Sequence, residues 1–356
     1  MSVTNNDITP QLHEQVQIAI DKQTPLCPRA GGSKDFLGRA VQAPTLDCSA
    51  HRGVINYEPM ELVITARAGT PLRELESVLS NEGQMLPFEP PHFAQSATIG
   101  GTIACGLSGP RRPYAGSARD FVLGTRVING HGQVLRFGGE VMKNVAGYDV
   151  SRLMTGSMGT LAVLLDVSMK VLPISETDLT ITFEHTPADA VHAMNDWATR
   201  PLPISASCHV DGQTHLRLSG SAIGVRSAHA TLGGDVVVDG AGFWHDLREH
   251  RLEFFRGPAA LWRISLPATT APLPLAGQWL LDWGGAQRWL RTDVDERSVR
   301  SAVSQCGGHA LAWRNIDQNS AVFHPLPGAL LGLHQRIKNA FDPHRVFSPG
   351  RMYAEL

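Results

Sequence analysis

Small residues, glycine above all, recur in four separate loops of this sequence. Glycine makes up 35 of the 356 residues, and residues 97–160 hold 13 of them in 64 positions. Glycine therefore makes up about 20 % of this segment, compared with an average near 7 % in proteins. Small residues let backbone N–H groups approach an anion such as a phosphate. The four loops are residues 29–34, 97–102, 108–112 and 156–160. Because they are far apart in sequence, they do not form a linear P-loop, and they predict a cofactor that lies across several loops.

The charge distribution also favours an anionic ligand near these loops. The net charge of the chain is −2, so no overall field attracts nucleic acid. Residues 97–160 nevertheless carry seven Lys or Arg and three acidic residues, a local excess of four positive charges. The glycine-rich segment is therefore also the basic segment, which suits a bound phosphate.

Several common kinds of site are missing from the sequence. There is no Walker A motif, and Gly130-x-Gly132 lacks the third glycine of a dinucleotide fingerprint because residue 135 is Leu. The five cysteines are widely spaced and form no C-x-x-C pair, which argues against a disulfide framework and against an iron–sulfur cluster held by this chain alone. A hydrophobic content of 42 % excludes a disordered chain.

The sequence predicts a cytoplasmic chain. Residues 1–10 (MSVTNNDITP) have neither the basic region nor the apolar region of a signal peptide. No stretch approaches the ~20 consecutive apolar residues that a membrane-spanning helix needs. The cysteines are expected to be reduced thiols.

Residues 209–215 (HVDGQTH) allow two interpretations. Two histidines and an aspartate within seven residues have the chemistry of a metal site. Alternatively, Asp211-Gly212 forms the turn of a β-hairpin, and Leu216 and Leu218 continue its two-residue period. We favour the hairpin and predict no metal site.

The order of the predicted elements indicates an α+β protein. Residues 121–137 have two apolar runs around Asn129-Gly130 and predict another β-hairpin. From residue 175 onward the predicted order is strand, helix, hairpin, helix, strand, which is the β-α-β-β-α-β pattern of a ferredoxin-like domain. Residues 329–341 predict a helix near the C-terminus.

Five segments together resemble a known family. They are CPRAGGSKDF (27–36), ELVITARAGTPLRELESVLSNEGQMLPFEPP (61–91), SATIGGTIACGLSGPRRPYAGSARDFVLG (96–124), GGEVMKNVAGYDVSRLMTGSMGTLAVL (138–164) and FDPHRVFSPGRMY (341–353). In order and spacing they resemble the PCMH-type FAD-binding family, which is also called the vanillyl-alcohol-oxidase type. The resemblance is dense over residues 25–173 and 320–353 and weaker between them.

The resemblance implies a PCMH-type FAD-binding fold of two α+β subdomains, with a smaller ferredoxin-like α+β cap domain. The FAD-binding domain would span residues 1–174, the cap domain residues 175–320, and residues 321–356 would return to the FAD-binding domain. In this fold FAD lies between the two subdomains.

The resemblance also assigns FAD-binding residues. The first group matches the pyrophosphate loop: Arg29, Ala30, Gly31, Gly32, Ser33 and Lys34. The second group matches a loop near the pyrophosphate and the flavin: Pro91, Thr98, Ile99, Gly100 and Gly101. The third group matches the next wall of the site: Ser108, Gly109, Arg111, Gly116 and Ala118, with Arg111 facing the FAD phosphates. The last group matches positions near the adenine or the ring: Gly159 and Val163.

Three departures from the family pattern bear on the chemistry. Residues 29–36 contain no histidine, the residue that carries an 8α-linked flavin in some members, and Cys105 is expected to be a small buried residue rather than a thioether link, so the FAD is expected to be non-covalent. Ser348 replaces the Asn of the family's N-P-G turn. The H-x-G-D-G-N-x-H-like metal motif of related 2-hydroxy-acid dehydrogenases is incomplete.

The implied activity is the oxidation of a small 2-hydroxy acid. A flavin takes a hydride from C2 if a base removes the hydroxyl proton and a cation holds the carboxylate. Lys143, Tyr148 and His324 are the candidate base or orienting residues, although a structural role is an alternative for each. Arg112, like Arg111, could hold the substrate carboxylate or the FAD phosphates.

Within the family, the chain is most similar to FAD-binding subunits of complexes that convert glycolate to glyoxylate. The implied partners are a second flavoprotein subunit and an iron–sulfur subunit, with membrane contact only through the complex and no nucleic acid. Two alternatives stay open. The chain could be a stand-alone FAD-dependent 2-hydroxy-acid or alcohol oxidase, or a structural subunit that has lost its flavin.

Overall fold

A computed structural model describes residues 5–139, 149–317 and 321–356. The chain divides into two units, each of which has its own sheets and apolar core. Unit 1 comprises Met1–Leu107, Ser117–Ile174 and Pro325–Leu356, and unit 2 comprises Ser108–Gly116 and Ser175–His324. Segment 108–116 therefore belongs to unit 2, although its sequence motif resembles a wall of the FAD-binding domain.

Within the described residues the elements are as follows. The helices are α1 (Thr9–Lys22), α2 (Leu72–Asn81), α3 (Ile99–Cys105), α4 (Arg112–Ala115), α5 (Ala118–Phe121), α6 (Val150–Leu153), α7 (Pro187–Ala198), α8 (Ala222–Leu232), α9 (Gly240–Arg248), α10 (Glu296–Gln305) and α11 (Gly328–Phe341). The strands of the first half are β1 (Cys27–Arg29), β2 (Thr45–Asp47), β3 (Val54–Glu58), β4 (Val63–Arg67), β5 (Gln84–Met85), β6 (Val122–Asn129), β7 (Val134–Gly138), β8 (Ala162–Lys170) and β9 (Leu172–Pro173). The strands of the second half are β10 (Thr177–Glu184), β11 (Ile204–Val210), β12 (Gln213–Gly220), β13 (Asp235–Val236), β14 (Ala260–Ser265), β15 (Gln278–Asp282), β16 (Gln287–Thr292) and β17 (His309–Arg314).

Unit 1 is built on a five-stranded antiparallel sheet in the order β3-β4-β8-β6-β7. Leu12 and Val16 of α1 lie one helical turn apart, and both are fully buried in a cluster with Val163 and Leu165 of β8. Two-stranded sheets, β1 with β2 and β5 with β9, complete the unit. Among the helices that the structure describes, none has both the length and the apolar character needed to cross a membrane.

The hairpin predicted around Asn129-Gly130 is present, but its loop is longer than a two-residue turn. Strands β6 and β7 pair down to Ile128 and Val134, so the loop spans residues 129–133. The Asn129 side chain accepts hydrogen bonds from the backbone N–H groups of His131 and Gln133. Gly130 has another role, because a side chain on it would overlap Asp342.

A buried lysine connects three segments of unit 1. Lys338 of α11 is 1 % exposed, and its Nζ donates to Thr160 O at 2.6 Å, Asp342 Oδ2 at 2.7 Å and Phe347 O at 2.8 Å. Asp342 in turn accepts from the backbone N–H groups of Val346 and Phe347. Burial lowers the pKa of Lys338, whereas the charge of Asp342 raises it. The lysine therefore joins α11, the loop at residues 156–160 and the C-terminal segment.

Unit 2 contains an eight-stranded sheet in the order β13-β10-β12-β11-β15-β16-β14-β17. Its first part, from β10 to β13, has the predicted β-α-β-β-α-β order. Asp211 and Gly212 form the turn between β11 and β12, with φ angles of +50° and +77° that fit a type I′ hairpin turn. His209 Nδ1 lies 3.0 Å from Thr214 Oγ1 across this hairpin. In the described residues no group of three His, Cys, Asp or Glu is placed to hold a metal ion.

Removal of the Lys338 ammonium is expected to destabilise the chain strongly. The substitution Lys338→Met leaves the fully buried Asp342 carboxylate without its cation and two carbonyl groups without a donor. Breaking such a buried pair costs about 3–5 kcal/mol of unfolding free energy. Denaturant unfolding of Lys338→Met should show this loss, and the exposed Lys22→Met control should change stability by less than about 0.5 kcal/mol. A loss below about 1 kcal/mol in Lys338→Met would contradict the structural role.

The stability of unit 2 is expected to fall in mild acid. His215 packs against Phe243 with ring centres 3.9 Å apart, and burial, aided by the charge of His209, lowers its pKa from 6.5 to about 4. The folded state thus binds this proton more weakly than the unfolded state, so the stabilisation is complete above pH 6.5 and declines as the pH falls towards 4.

The variant His215→Phe tests this pH dependence. It keeps the ring contact with Phe243 but cannot titrate, so about 2–3 kcal/mol of the stability lost between pH 7 and 4 should be recovered. Thermal melting across this pH range measures the effect, with the exposed His192→Phe as the control. An equal decline in His215→Phe and in the unmodified chain would disprove the assignment.

Candidate functional site: three loops that meet in unit 1

The first and second small-residue loops are in direct contact. Ser96 Oγ donates to Gly31 O at 2.6 Å. A side chain on Gly31 would overlap the Ser96 carbonyl, so glycine is required there for packing between the two loops. The sequence assigned Gly31 to phosphate binding, and this packing requirement could not be read from the loop alone.

The second loop leads into α3, which Thr98 caps. The Thr98 side chain accepts from the Gly101 N–H at 3.2 Å, and the N–H groups of Ile99 and Gly100 donate to Thr70 O and Ala68 O. A Cβ on Gly100 would lie 2.6 Å from the Cβ of Ala68, so this glycine lets the helix approach β4. A Cβ on Gly101 would have no atom closer than Thr98 Oγ1 at 3.3 Å.

The loop at residues 156–160 is the third small-residue loop of unit 1, and it contacts α3. Its Gly156 and Met158 N–H groups donate to Ile103 O at 3.0 Å and to Ala104 O at 2.8 Å, which attaches the loop to α3. Gly159 has a φ of +69°, and a Cβ on it would be 3.8 Å or more from every neighbouring atom. The atoms nearest to that position belong to Ser348 and to Pro28, which precedes the first loop.

The first loop presents a row of hydrogen-bond donors. Within the described part of the chain, the backbone N–H groups of Ala30, Gly31, Gly32 and Ser33 have no acceptor. Gly32 has a φ of +65°, and a positive φ inside such a run is typical of the concave backbone that binds anions. Consecutive free donors beside partly exposed glycines fit a phosphate group.

Two cations flank this row of donors. Lys34 is 6 % exposed, and its Nζ donates to Ser33 Oγ at 3.2 Å and to His92 O at 3.4 Å. Arg29 pairs with Asp35 at 2.6 Å, and this hydrogen bond raises the pKa of the Arg29 guanidinium. Both side chains therefore keep a positive charge next to the free N–H groups.

Other predicted residues of unit 1 are buried. Pro91 is buried, and Ala118 and Val163 are fully buried. Val163 belongs to the apolar cluster around α1. The side chains of Ala118 and Val163 thus serve the core, and their contact with FAD stays a prediction.

The structure places a group of predicted residues in unit 2, namely Ser108, Gly109, Arg111 and Gly116. Gly109 O accepts from Trp283 Nε1 at 3.0 Å, and Arg111 lies 4.0 Å from Asp178. The Arg112 guanidinium stacks on the Trp283 ring at 4.4 Å. Segment 108–116 is thus integrated into unit 2 by its own contacts, which the sequence motif did not indicate.

Of the three candidate bases, the structure describes one, His324. Lys143 and Tyr148 lie outside the described residues. His324 accepts from the Ala310 N–H at its Nδ1, so its Nε2 carries the proton and lies 3.2 Å from Ser304 Oγ. Burial lowers the pKa of the His324 imidazole below its usual value. These contacts give His324 a structural role in joining α10 to β17.

Cys105 lies at the end of α3, at the edge of the group of loops. Burial raises the pKa of its thiol, although the nearby Lys34 and Arg351 lower it. A thiol with a raised pKa is largely protonated at neutral pH and is a poor nucleophile. This agrees with its interpretation as a small packed residue.

The comparisons with known proteins agree with this site. A family model described as "FAD binding domain" matches residues 8–138, which include the first two loops. The chain is 50 % identical over 350 residues to glycolate oxidase subunit GlcE of Escherichia coli (strain K12), and the match covers 98 % of this chain and 99 % of that protein. It is 28 % identical over 201 residues to glycolate oxidase subunit GlcD of Bacillus subtilis (strain 168), covering 55 % of this chain and 43 % of that protein.

The fold comparison leads to the same group of proteins. A crystal structure of p-cresol methylhydroxylase with substrate bound superposes with a TM-score of 0.71 at 15 % identity, covering 97 % of this chain and 87 % of that chain. The predicted PCMH-type α+β fold is thereby confirmed. Because the match with GlcE extends from end to end at half identity, the chain belongs to the family of the glycolate oxidase subunit GlcE.

Proposed function

We propose that this chain is the FAD-binding subunit of a complex that oxidises glycolate to glyoxylate. The observation that carries the proposal is the end-to-end similarity to a glycolate oxidase subunit, at 50 % identity over 98 % of the chain. The three adjoining loops of unit 1 support the flavin part of it, because they offer free N–H donors, two basic side chains and, at residues 101 and 159, glycines without a side chain.

The residues of unit 1 have distinct proposed roles in holding FAD. The N–H groups of residues 30–33 would bind the pyrophosphate, and Lys34 and Arg29 would balance its charge. Gly101 and Gly159 would let the cofactor pass close to the backbone, since a Cβ would lie 3.3 Å from Thr98 Oγ1 at Gly101 and no closer than 3.8 Å to any atom at Gly159. When bound, FAD would supply the redox chemistry by which the complex removes a hydride from C2 of the hydroxy acid. We propose non-covalent FAD, because the first loop has no histidine and the Cys105 thiol stays protonated.

We propose that electrons leave this chain through partner subunits, namely a second flavoprotein and an iron–sulfur protein. The five cysteines are free thiols and share no C-x-x-C spacing. His324 is occupied by structural hydrogen bonds, so it is a poor choice for the proton acceptor. A cytoplasmic complex, with any membrane contact made by the partners, fits this proposal.

A Gly101→Val variant tests the loop assignment. The new Cβ would lie 3.3 Å from Thr98 Oγ1, with no other atom within 4 Å outside the adjoining residues and the backbone of the helix itself, and valine is tolerated in a helix better than glycine. The bound flavin per chain should therefore fall at least about fivefold, since overpacking a binding site costs about 1 kcal/mol or more. The visible flavin absorbance of the purified protein measures this, together with its melting temperature.

The control for this variant is Gly328→Val. Gly328 lies at the exposed start of α11, where no atom is within 4 Å of the position that a Cβ would take. It should keep full flavin content and stability. Unchanged flavin content in Gly101→Val would refute the role of this loop. Gly31 and Gly100 are unsuitable positions, because any side chain there disrupts protein packing whether or not FAD binds.

The activity is tested on the co-purified complex. Glycolate should reduce an artificial dye through the complex, and this chain without its partners should not bleach its own flavin with glycolate. Bleaching by the separate chain would instead establish a stand-alone oxidase. A fully active complex in which this chain carries no flavin would establish a structural subunit and refute the proposal.

A further inference from the structure

A row of charged residues crosses four neighbouring strands of the unit 1 sheet. Asp166 of β8 pairs in register with Arg67 of β4 on one side and with Arg126 of β6 on the other. Arg126 in turn pairs in register with Arg136 of β7. Residues paired across neighbouring strands point to the same face of a sheet, so the four side chains lie side by side.

The acidic member of this row, Asp166, is already engaged. Arg126 Nη1 lies 3.2 Å from Asp166 Oδ2. His51 is fully buried, its Nδ1 accepts from the Ile8 N–H at 3.2 Å, and its Nε2 lies 3.3 Å from Asp166 Oδ1. Because Nδ1 is the acceptor, Nε2 carries the proton and donates to the carboxylate. Asp166 is thus satisfied by two donors.

A second carboxylate, Asp7, stands at the edge of the row. It lies 3.5 Å from Arg67 Nη2 and 3.9 Å from Arg126 Nη1. Burial would raise its pKa, but hydrogen bonds from Thr9 and the charge of Arg67 lower it to about 2. Asp7 is therefore ionised at neutral pH.

The positive charges exceed these partners by one. Three arginines face two aspartates, and Arg136 has no acceptor within the described residues. Arg136 is directly opposite Arg126, and like charges in directly opposed positions destabilise a sheet. In addition, Arg67 Nε is buried without a hydrogen-bond acceptor in the part of the chain that the structure describes. Arg67 does have Asp7 as an anionic partner, so Arg136, which is exposed to solvent, is the arginine of this row that lacks one within the described residues.

The same residues line a cavity of about 390 Å3. Its walls are Asp7, Arg67, Arg126, Arg136 and Asp166 together with the apolar side chains of Ile55, Val134 and Leu135. A volume of this size is in the range of small-molecule sites, which combine apolar walls with a few convergent polar groups. The planar guanidinium group matches the geometry of carboxylate and phosphate oxygens.

We propose that this pocket binds a small organic anion through a carboxylate or phosphate group, with Arg136 as the principal contact. The anion would separate the opposed charges of Arg126 and Arg136, and its carbon skeleton would lie on Ile55, Val134 and Leu135. The site uses neither the small-residue loops nor the residues proposed to hold FAD, so it does not depend on the proposed function.

The test is calorimetric titration of the FAD-loaded chain with malonate and with inorganic phosphate at constant ionic strength. The two probes distinguish a carboxylate from a phosphate preference. Saturable binding of at least one probe is expected, and Arg136→Gln should raise its Kd at least about fivefold. The matched control is Arg226→Gln, an exposed arginine on α8 of unit 2, which should leave the Kd unchanged.

A second variant separates binding from folding. Arg136→Glu places a carboxylate opposite Arg126, so it should raise the melting temperature of the chain and abolish probe binding at the same time. A single cooperative melting transition in both Arg136 variants confirms that the fold is intact. Failure of both probes to bind, or binding that Arg136→Gln leaves unchanged, would overturn the proposal.

Discussion

The ammonium group of Lys338 is the interaction on which the rest of unit 1 depends. It lies in the interior at 1 % exposure and donates to oxygens from three separate parts of the chain. One of these, Thr160 O, belongs to the loop that is hydrogen-bonded to α3, and α3 is capped by the loop that contacts residues 29–34. The geometry of the small-residue loops of unit 1 therefore rests on a cation that lies outside them.

The glycine-rich character of the sequence indicated the location of the site but combined two different requirements. Gly31 and Gly100 are needed because the protein's own backbone or side chains pass too close for a Cβ, whereas a Cβ would lie 3.3 Å from the nearest atom at Gly101 and 3.8 Å from it at Gly159. Gly130 likewise makes room for Asp342. The glycine content of the sequence cannot distinguish a glycine needed for close packing from one that leaves room beside a loop. Both requirements favour glycine, and which one applies depends on neighbouring residues that are distant in sequence.

Much of the fold could be predicted from local patterns. Helix α11 and both hairpins have the expected turn residues or position, and they appear close to the residues predicted for them. Strands β14 to β17 were not predicted, because their arginines and tryptophans alternate with leucines in the interior of a wide sheet. The assignment of segment 108–116 to unit 2 depends on contacts such as Trp283 with Gly109, which are 174 residues apart.

The division of unit 1 into three chain segments has a consequence for synthesis. The Thr160 carbonyl meets Lys338 only after 178 further residues have been made, and unit 2 lies almost entirely within that interval. Contacts of such long sequence separation are slow to form, and domains generally fold as units during synthesis. On the ribosome, unit 2 can thus complete its folding before the small-residue loops of unit 1 have made their contacts with the C-terminal segment. The proposed capture of flavin is therefore expected to be a late event in the maturation of this chain.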